Sequence, residues 1–128
     1  MLITDPKGLY TINVDPVRKI VFETPIGSWT KEDYNEFHEM YVEKIKPALG
    51  NSPWCLCTDL RKYKLSNIAD EISRHAEWMK ENKLQYAATI VDSAIVKMQM
   101  NRAGGDTITQ QAFLTEKEAD DWLKSKGF

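Results

Sequence analysis

Residues 55 to 67, "CLCTDLRKYKLSN", gather two thiols, a Thr-Asp pair, three basic side chains and a serine within thirteen positions. Such a stretch could bind metal, activate a nucleophile or accept a phosphate. Metal is the first of these to fail. Cys55 and Cys57 are two apart, which in a strand puts both thiols on one face. A zinc site needs further ligands at close spacing, and His38 and His75 stand alone on separate predicted helices. The same two-residue spacing is poor geometry for a disulfide. Both cysteines are therefore expected in the core as small apolar residues. A nucleophile built from Cys57 or Ser66 with His75 and Asp59 has no spacing that enforces it, so no catalytic residue, metal or cofactor is assigned.

The acid pairs Glu32-Asp33, Asp70-Glu71 and Asp120-Asp121 fall on predicted helices. Two of them lie in first turns, where the helix dipole favours acids. Gly104-Gly105 reads as a helix stop rather than a phosphate loop. Ser66 lies at a helix start beside Arg61, Lys62 and Lys64, a setting that would suit an added phosphate. Its plainer role is that of a cap.

These residues need a frame. The chain has 128 residues, 42% hydrophobic and 28% charged, with a net charge of −2. Those values fit one globular domain spanning 1–128. They leave no basic footprint for nucleic acid. No apolar run reaches the ~20 residues of a membrane helix. The start, "MLITDPKG", has no basic, apolar leader, and two cysteines without an export signal suggest reduced thiols in a cytoplasm.

"LYTINV" and "RKIVFETP" alternate as two strands around the Asp15-Pro16 turn, and so form a hairpin. Thr30 and Asp33 make a capping box, with Trp29 and Tyr34 as its staple. Tyr34, Phe37, Tyr41 and Ile45 then share a helical face, and Pro47 and Gly50 end the helix. "WCLCTDL" and "YAATIVD" are apolar runs suited to strands buried on both faces. Asn67 and Asp70 suggest a cap for a helix whose stripe is Ile68, Ile72, Ala76 and Met79. "SAIVKMQMNRAGG" reads as a helix capped by Ser93, and "TITQQAFL" as the last strand. Thr115 and Glu118 open the final helix. The order β-β-α-β-α-β-α-β-α implies parallel strands joined by right-handed crossovers, with the first strand antiparallel to the second.

"GSWTKEDYNEF" after the second strand, "CLCTDLRKY" closing the third, "AATIVDS" closing the fourth and the terminal "AFLTEKEADDWL" span residues 10 to 123. In order and spacing they resemble the SpoIIAA-like family, relatives of the STAS domains of anti-sigma-factor antagonists. The resemblance implies an α/β fold with a five-stranded, mostly parallel sheet. That sheet would be wound as a right-handed β-α superhelix with about four helices. It also implies a non-enzymatic regulatory or protein-interaction module. Switchable STAS domains carry an Asp-Ser-Ser-Gly stretch after the third strand. Here the region reads "KLSNIAD", so the Asp-Ser pair and the glycine are missing around Ser66.

In open α/β sheets ligands bind at the carboxyl ends of the strands. Trp29, Asp59, Arg61, Ser66, Asp92 and Ser93 collect there, and they are the candidate ligand- or partner-binding residues. The expected partner is another protein. The alternative is a small apolar or lipid-like ligand, supported by Trp29 and by Met98 and Met100, since methionine suits adaptable apolar surfaces. A homodimer is compatible with either.

Overall fold

A computed structural model describes residues 1–64, 67–103 and 109–128, with residues 99–103 as helix backbone only. Six strands form one sheet in sequential order: β1 (Leu2–Thr4), β2 (Tyr10–Asp15), β3 (Ile20–Pro25), β4 (Trp54–Asp59), β5 (Leu84–Ile90) and β6 (Gln110–Phe113). β1 to β3 run as an antiparallel meander, and β3 to β6 are parallel. The five strands expected from the sequence are present, with the hairpin and the parallel set as anticipated. The sixth, β1, adds an antiparallel edge. Three residues are too few to show alternation, and its register is set by pairing Ile3 with Ile12.

Strand alternation splits the core in two. Tyr10, Ile12, Val14, Val21, Trp54 and Leu56 face one side. Ile20, Cys55, Cys57, Ala88, Ile90 and Phe113 face the other. The first face is covered by α1 (Lys31–Met40), which continues through a π-helical turn (Tyr41–Ile45) into α2 (Lys46–Leu49), and by α3 (Ala69–Glu81). The second face is covered by α5 (Glu116–Ser125) through Ala119 and Leu123. α4 (Ala94–Ala103) packs beside β6.

The π turn has a readable cause. Phe37, Tyr41, Ile45 and Leu49 are all buried, and they recur every four residues. An ordinary α-helix overshoots by about 40° for each four-residue step, which would rotate Leu49 off the core. One wider turn cancels that drift. The helix starts as anticipated. The Thr30 Oγ accepts from the Asp33 N–H at 3.2 Å, and the Asp33 carboxylate accepts from the Thr30 N–H at 2.9 Å. The Asn67-Asp70 cap does not form: α3 begins after Ile68, without a side-chain cap. The proposed stop at Gly104-Gly105 lies outside the described residues.

Cys55 and Cys57 lie side by side on the α5 face, unbonded and buried, as their spacing implied. Burial pushes both thiols up to about 12. Among the described residues no group of three or more His, Cys, Asp or Glu side chains is arranged to hold a metal. Ellman's reagent should therefore leave the native protein unmodified on the time scale in which it titrates both thiols in urea, a rate difference of about a hundredfold or more. Rapid labelling of either thiol in native buffer would show that this face opens readily.

Candidate functional site

The candidate residues at the carboxyl edge do not converge on one site. Asp59 and Arg61 pair with each other, Nε to Oδ1 at 2.9 Å and NH2 to Oδ2 at 2.7 Å. Arg61 also reaches Glu116 at 3.0 Å, and so ties the end of β4 to the first turn of α5. The guanidinium holds the Asp59 carboxyl below its usual range, mainly through these hydrogen bonds. With Arg18, Cys57, Glu116 and Asp120, Asp59 borders an open groove of about 560 Å³ on the α5 side. Asp92 is exposed after β5. Ser93 accepts from the Val96 N–H at 3.4 Å as the cap of α4. Neither lines that groove. Ser66 lies outside the described residues.

Trp29 is in a different place again. It is 3% exposed rather than set at an open edge. Its indole N–H donates to the Ile26 carbonyl at 3.1 Å. Its ring meets Tyr34 at 5.6 Å, the expected staple, and also Phe37 at 4.9 Å and Tyr63 at 5.9 Å. These rings line a second, half-open cavity of about 380 Å³ between α1, α3 and the sheet. Leu56, Ile72, Ala76, Met79, Leu84 and Ala87 supply most of the remaining wall. The α3 stripe predicted to pack on the sheet thus meets it at the helix start, through buried Ile68. Met79 is buried again at the far end, and between the two Ile72 is left 39% exposed.

The polar group of this cavity is Glu23, which sits at an inward position of β3 and is 9% exposed. Its register places it beside Thr58 of β4. The Thr58 hydroxyl donates to Oε1 at 2.7 Å, and the Tyr41 hydroxyl, at the start of the π turn, donates to Oε2. Burial raises the Glu23 pKa, and these two hydrogen bonds act against the rise. Among the described residues no cation forms an ion pair with it.

A second polar pair joins α1 to α3. His38 of α1 and His75 of α3 meet Nδ1 to Nδ1 at 2.8 Å, so one ring donates its proton to the other. His75 is enclosed by Tyr34, Phe37, Tyr41 and Trp78. Burial, and then the neighbouring His38, lower its pKa to about 3. Its Nε2 and the Tyr63 hydroxyl are buried without a hydrogen-bond partner, and both residues line the cavity.

Glu23 was not singled out in the sequence, and His75 was weighed only as a zinc ligand or as part of a nucleophile arrangement, although both had a further signal. Glu23 occupies the inward phase of "IVFETP", two residues from Val21. His75 stands seven residues after Ile68, within the apolar stripe of α3. A charged residue in an apolar phase is the informative exception to patterning.

The buried imidazole makes stability depend on pH with a definite sign. In the unfolded chain His75 titrates near 6.5, whereas in the native protein it stays neutral down to about 3. Above 6.5 both states are neutral there. Between 6.5 and 3 the unfolded state binds more protons, so stability falls as pH falls. From pH 7 to pH 5 this group should remove about 2 kcal/mol. Urea midpoints should show His75→Gln losing that much less stability than the parent over the same range. An identical pH response in the two proteins would show that His75 is not held neutral.

No known protein family matches the sequence, and no curated protein matches it. A solved structure does match in shape. It is an uncharacterized protein of the DUF3478 family with a SpoIIAA-like fold from Shewanella loihica PV-4. The two are 19% identical and superpose with a TM-score of 0.68, over 89% of this chain and 93% of that one. The sequential sheet and its helices therefore form an α/β fold of the SpoIIAA-like type, as the order and spacing of the sequence elements implied.

Proposed function

We propose that this chain is a non-enzymatic binding module of STAS-like build that takes a small, mainly apolar molecule into the cavity beneath α3. The observation that carries this is the cavity itself. Its volume of about 380 Å³ lies in the range of small-molecule sites, and its wall is aromatic and aliphatic with few polar groups. Glu23 and Thr58 from the sheet, His75 and Lys80 from α3, and Tyr63 from the loop after β4 supply the main polar groups. This cavity lies between α3 and the sheet, and among the described candidate residues only Trp29 lines it.

A regulatory protein contact has support of its own. Ile95 of α4 is 64% exposed and Met98 is 55% exposed, with Ile72 of α3 also open to solvent. Ile95 and Met98 are three apart on α4, and neighbouring exposed apolar residues are a usual mark of an interaction surface. The Asp59–Arg61–Glu116 cluster is better suited to joining β4 to α5 than to holding a ligand.

Anilinonaphthalene sulfonate reports occupation of apolar sites by fluorescence, and the neighbouring Trp29 offers a second signal. Ala76→Phe places a ring in the cavity from the α3 side. It should weaken dye binding about tenfold or more, while the urea midpoint stays close to that of the parent. Ile95→Lys should leave the dye unaffected. Unchanged dye affinity in Ala76→Phe would place the dye elsewhere and remove the support for a cavity ligand.

A further inference from the structure

Glu23 presents an unusual demand. A carboxylate removed from water is stable only when it is paired or well hydrogen-bonded. Its two oxygens each take one hydroxyl, from Thr58 and Tyr41, and lone-pair capacity remains on both. The rings of Trp29, Tyr34, Phe37 and Tyr63 line the same cavity, and aromatic faces attract cations. Tyr63 and His75 also line the cavity, and Tyr63 Oη and His75 Nε2 are buried without a partner. A tyrosine oxygen accepts hydrogen bonds. His75 Nε2 also accepts, in the tautomer whose Nδ1–H donates to His38. A carboxylate with unused lone pairs and an aromatic lining favour the same chemistry, and Lys80 is the one cation among the described lining residues.

Resting on the cavity reading above, we propose that its ligand is an amphipathic amine, with the ammonium held by Glu23 and the aromatic wall and the apolar body lying along α3. A primary ammonium offers three N–H donors, and the lone pairs left on both oxygens of the Glu23 carboxylate can accept from it. The tail then runs past Ala76 and Met79 toward Leu84. A carboxylate amphiphile meets like charge at Glu23 and could be received only on the side of Lys80. A neutral alcohol is the close rival, because it can bond to the same acceptors but leaves the carboxylate without a counter-charge.

Three eight-carbon probes separate these classes: octylamine, 1-octanol and octanoate, titrated calorimetrically at pH 8 below their aggregation concentrations. The parent protein should bind octylamine about tenfold or more tightly than 1-octanol, the difference between a charged and a neutral hydrogen-bonded group. Octanoate should bind most weakly. Glu23→Gln keeps the size and a carbonyl acceptor, and should reduce the amine's preference over the alcohol to about threefold or less. Ala76→Phe should weaken both ligands, which separates cavity binding from attraction of the amine to the acidic surface.

Equal binding of octylamine and 1-octanol by the parent overturns the amine assignment and leaves the cavity reading standing. Failure of both to bind overturns the two together. A preference for the amine that survives in Glu23→Gln, or that Ala76→Phe does not touch, shows that the attraction lies elsewhere and also refutes the proposal. The comparison between probes on the parent protein stands even if Glu23→Gln fails to fold.

Discussion

The structure turns on one buried carboxylate. Glu23 lies within the sheet, bonded by a hydroxyl from the neighbouring strand β4 and by another from the helix that crosses between β3 and β4. Its position therefore links three consecutive elements. Burying a carboxyl costs several kcal/mol unless its oxygens are satisfied. That requirement constrains Tyr41 to the phase where its hydroxyl reaches the sheet. The π turn beginning at Tyr41 keeps Ile45 and Leu49 on the same side while this contact is made. The irregularity of the helix and the acid in the sheet are two parts of one arrangement.

The two faces of the sheet are treated differently. On the α5 side, small residues such as Cys55, Ala88 and Ala119 let the helix pack close, so Cys55, Ala88, Ala119 and Leu123 are almost completely buried. On the other side, α1 is anchored by a continuous set of aromatic rings, from Tyr10 through Trp29 and Phe37 to Tyr41. α3 is tied to this set through His75 and Trp78, near α1, and through Met79. The remaining wall of the helix is left over open space. The cavity thus follows from where the large rings are, and their hydroxyl and imidazole groups give it its polarity.

Much of the architecture was legible in the sequence because period and punctuation agreed. Alternation in "LYTINV" and "RKIVFETP", the Thr30-Asp33 box, and apolar runs ending at Asp59 and near Asp92 were enough for five strands and their directions. The two-residue spacing of the cysteines set their common face. Leu2–Thr4 was too short to carry a period. Asn67 and Asp70 had the right residue types for a cap, but α3 starts from Ile68, whose burial fixes the entry instead. The site was less legible. Polar residues at strand ends were favoured as candidates, and Asp59 and Arg61 proved to neutralise each other beside Glu116. The inward acid at Glu23 and the histidine in an apolar stripe carried the stronger signal, since each breaks a pattern that its neighbours keep. That Tyr41 lies within reach of Glu23 depends on tertiary contact between residues 18 positions apart, and no local pattern encodes it.

The central claim is that Glu23 is a buried acid whose charge the described residues leave without a counter-ion. The direct measurement is the carboxyl carbon resonance of Glu23, followed by NMR across pH with and without octylamine, and assigned by its loss in Glu23→Gln. In the free protein the resonance should titrate above the ordinary glutamate range, because desolvation is the dominant influence on it. Saturating amine should move the midpoint downward, as an adjacent cation stabilises the carboxylate. A resonance that titrates like a solvent-exposed glutamate, unmoved by the amine, would contradict the account.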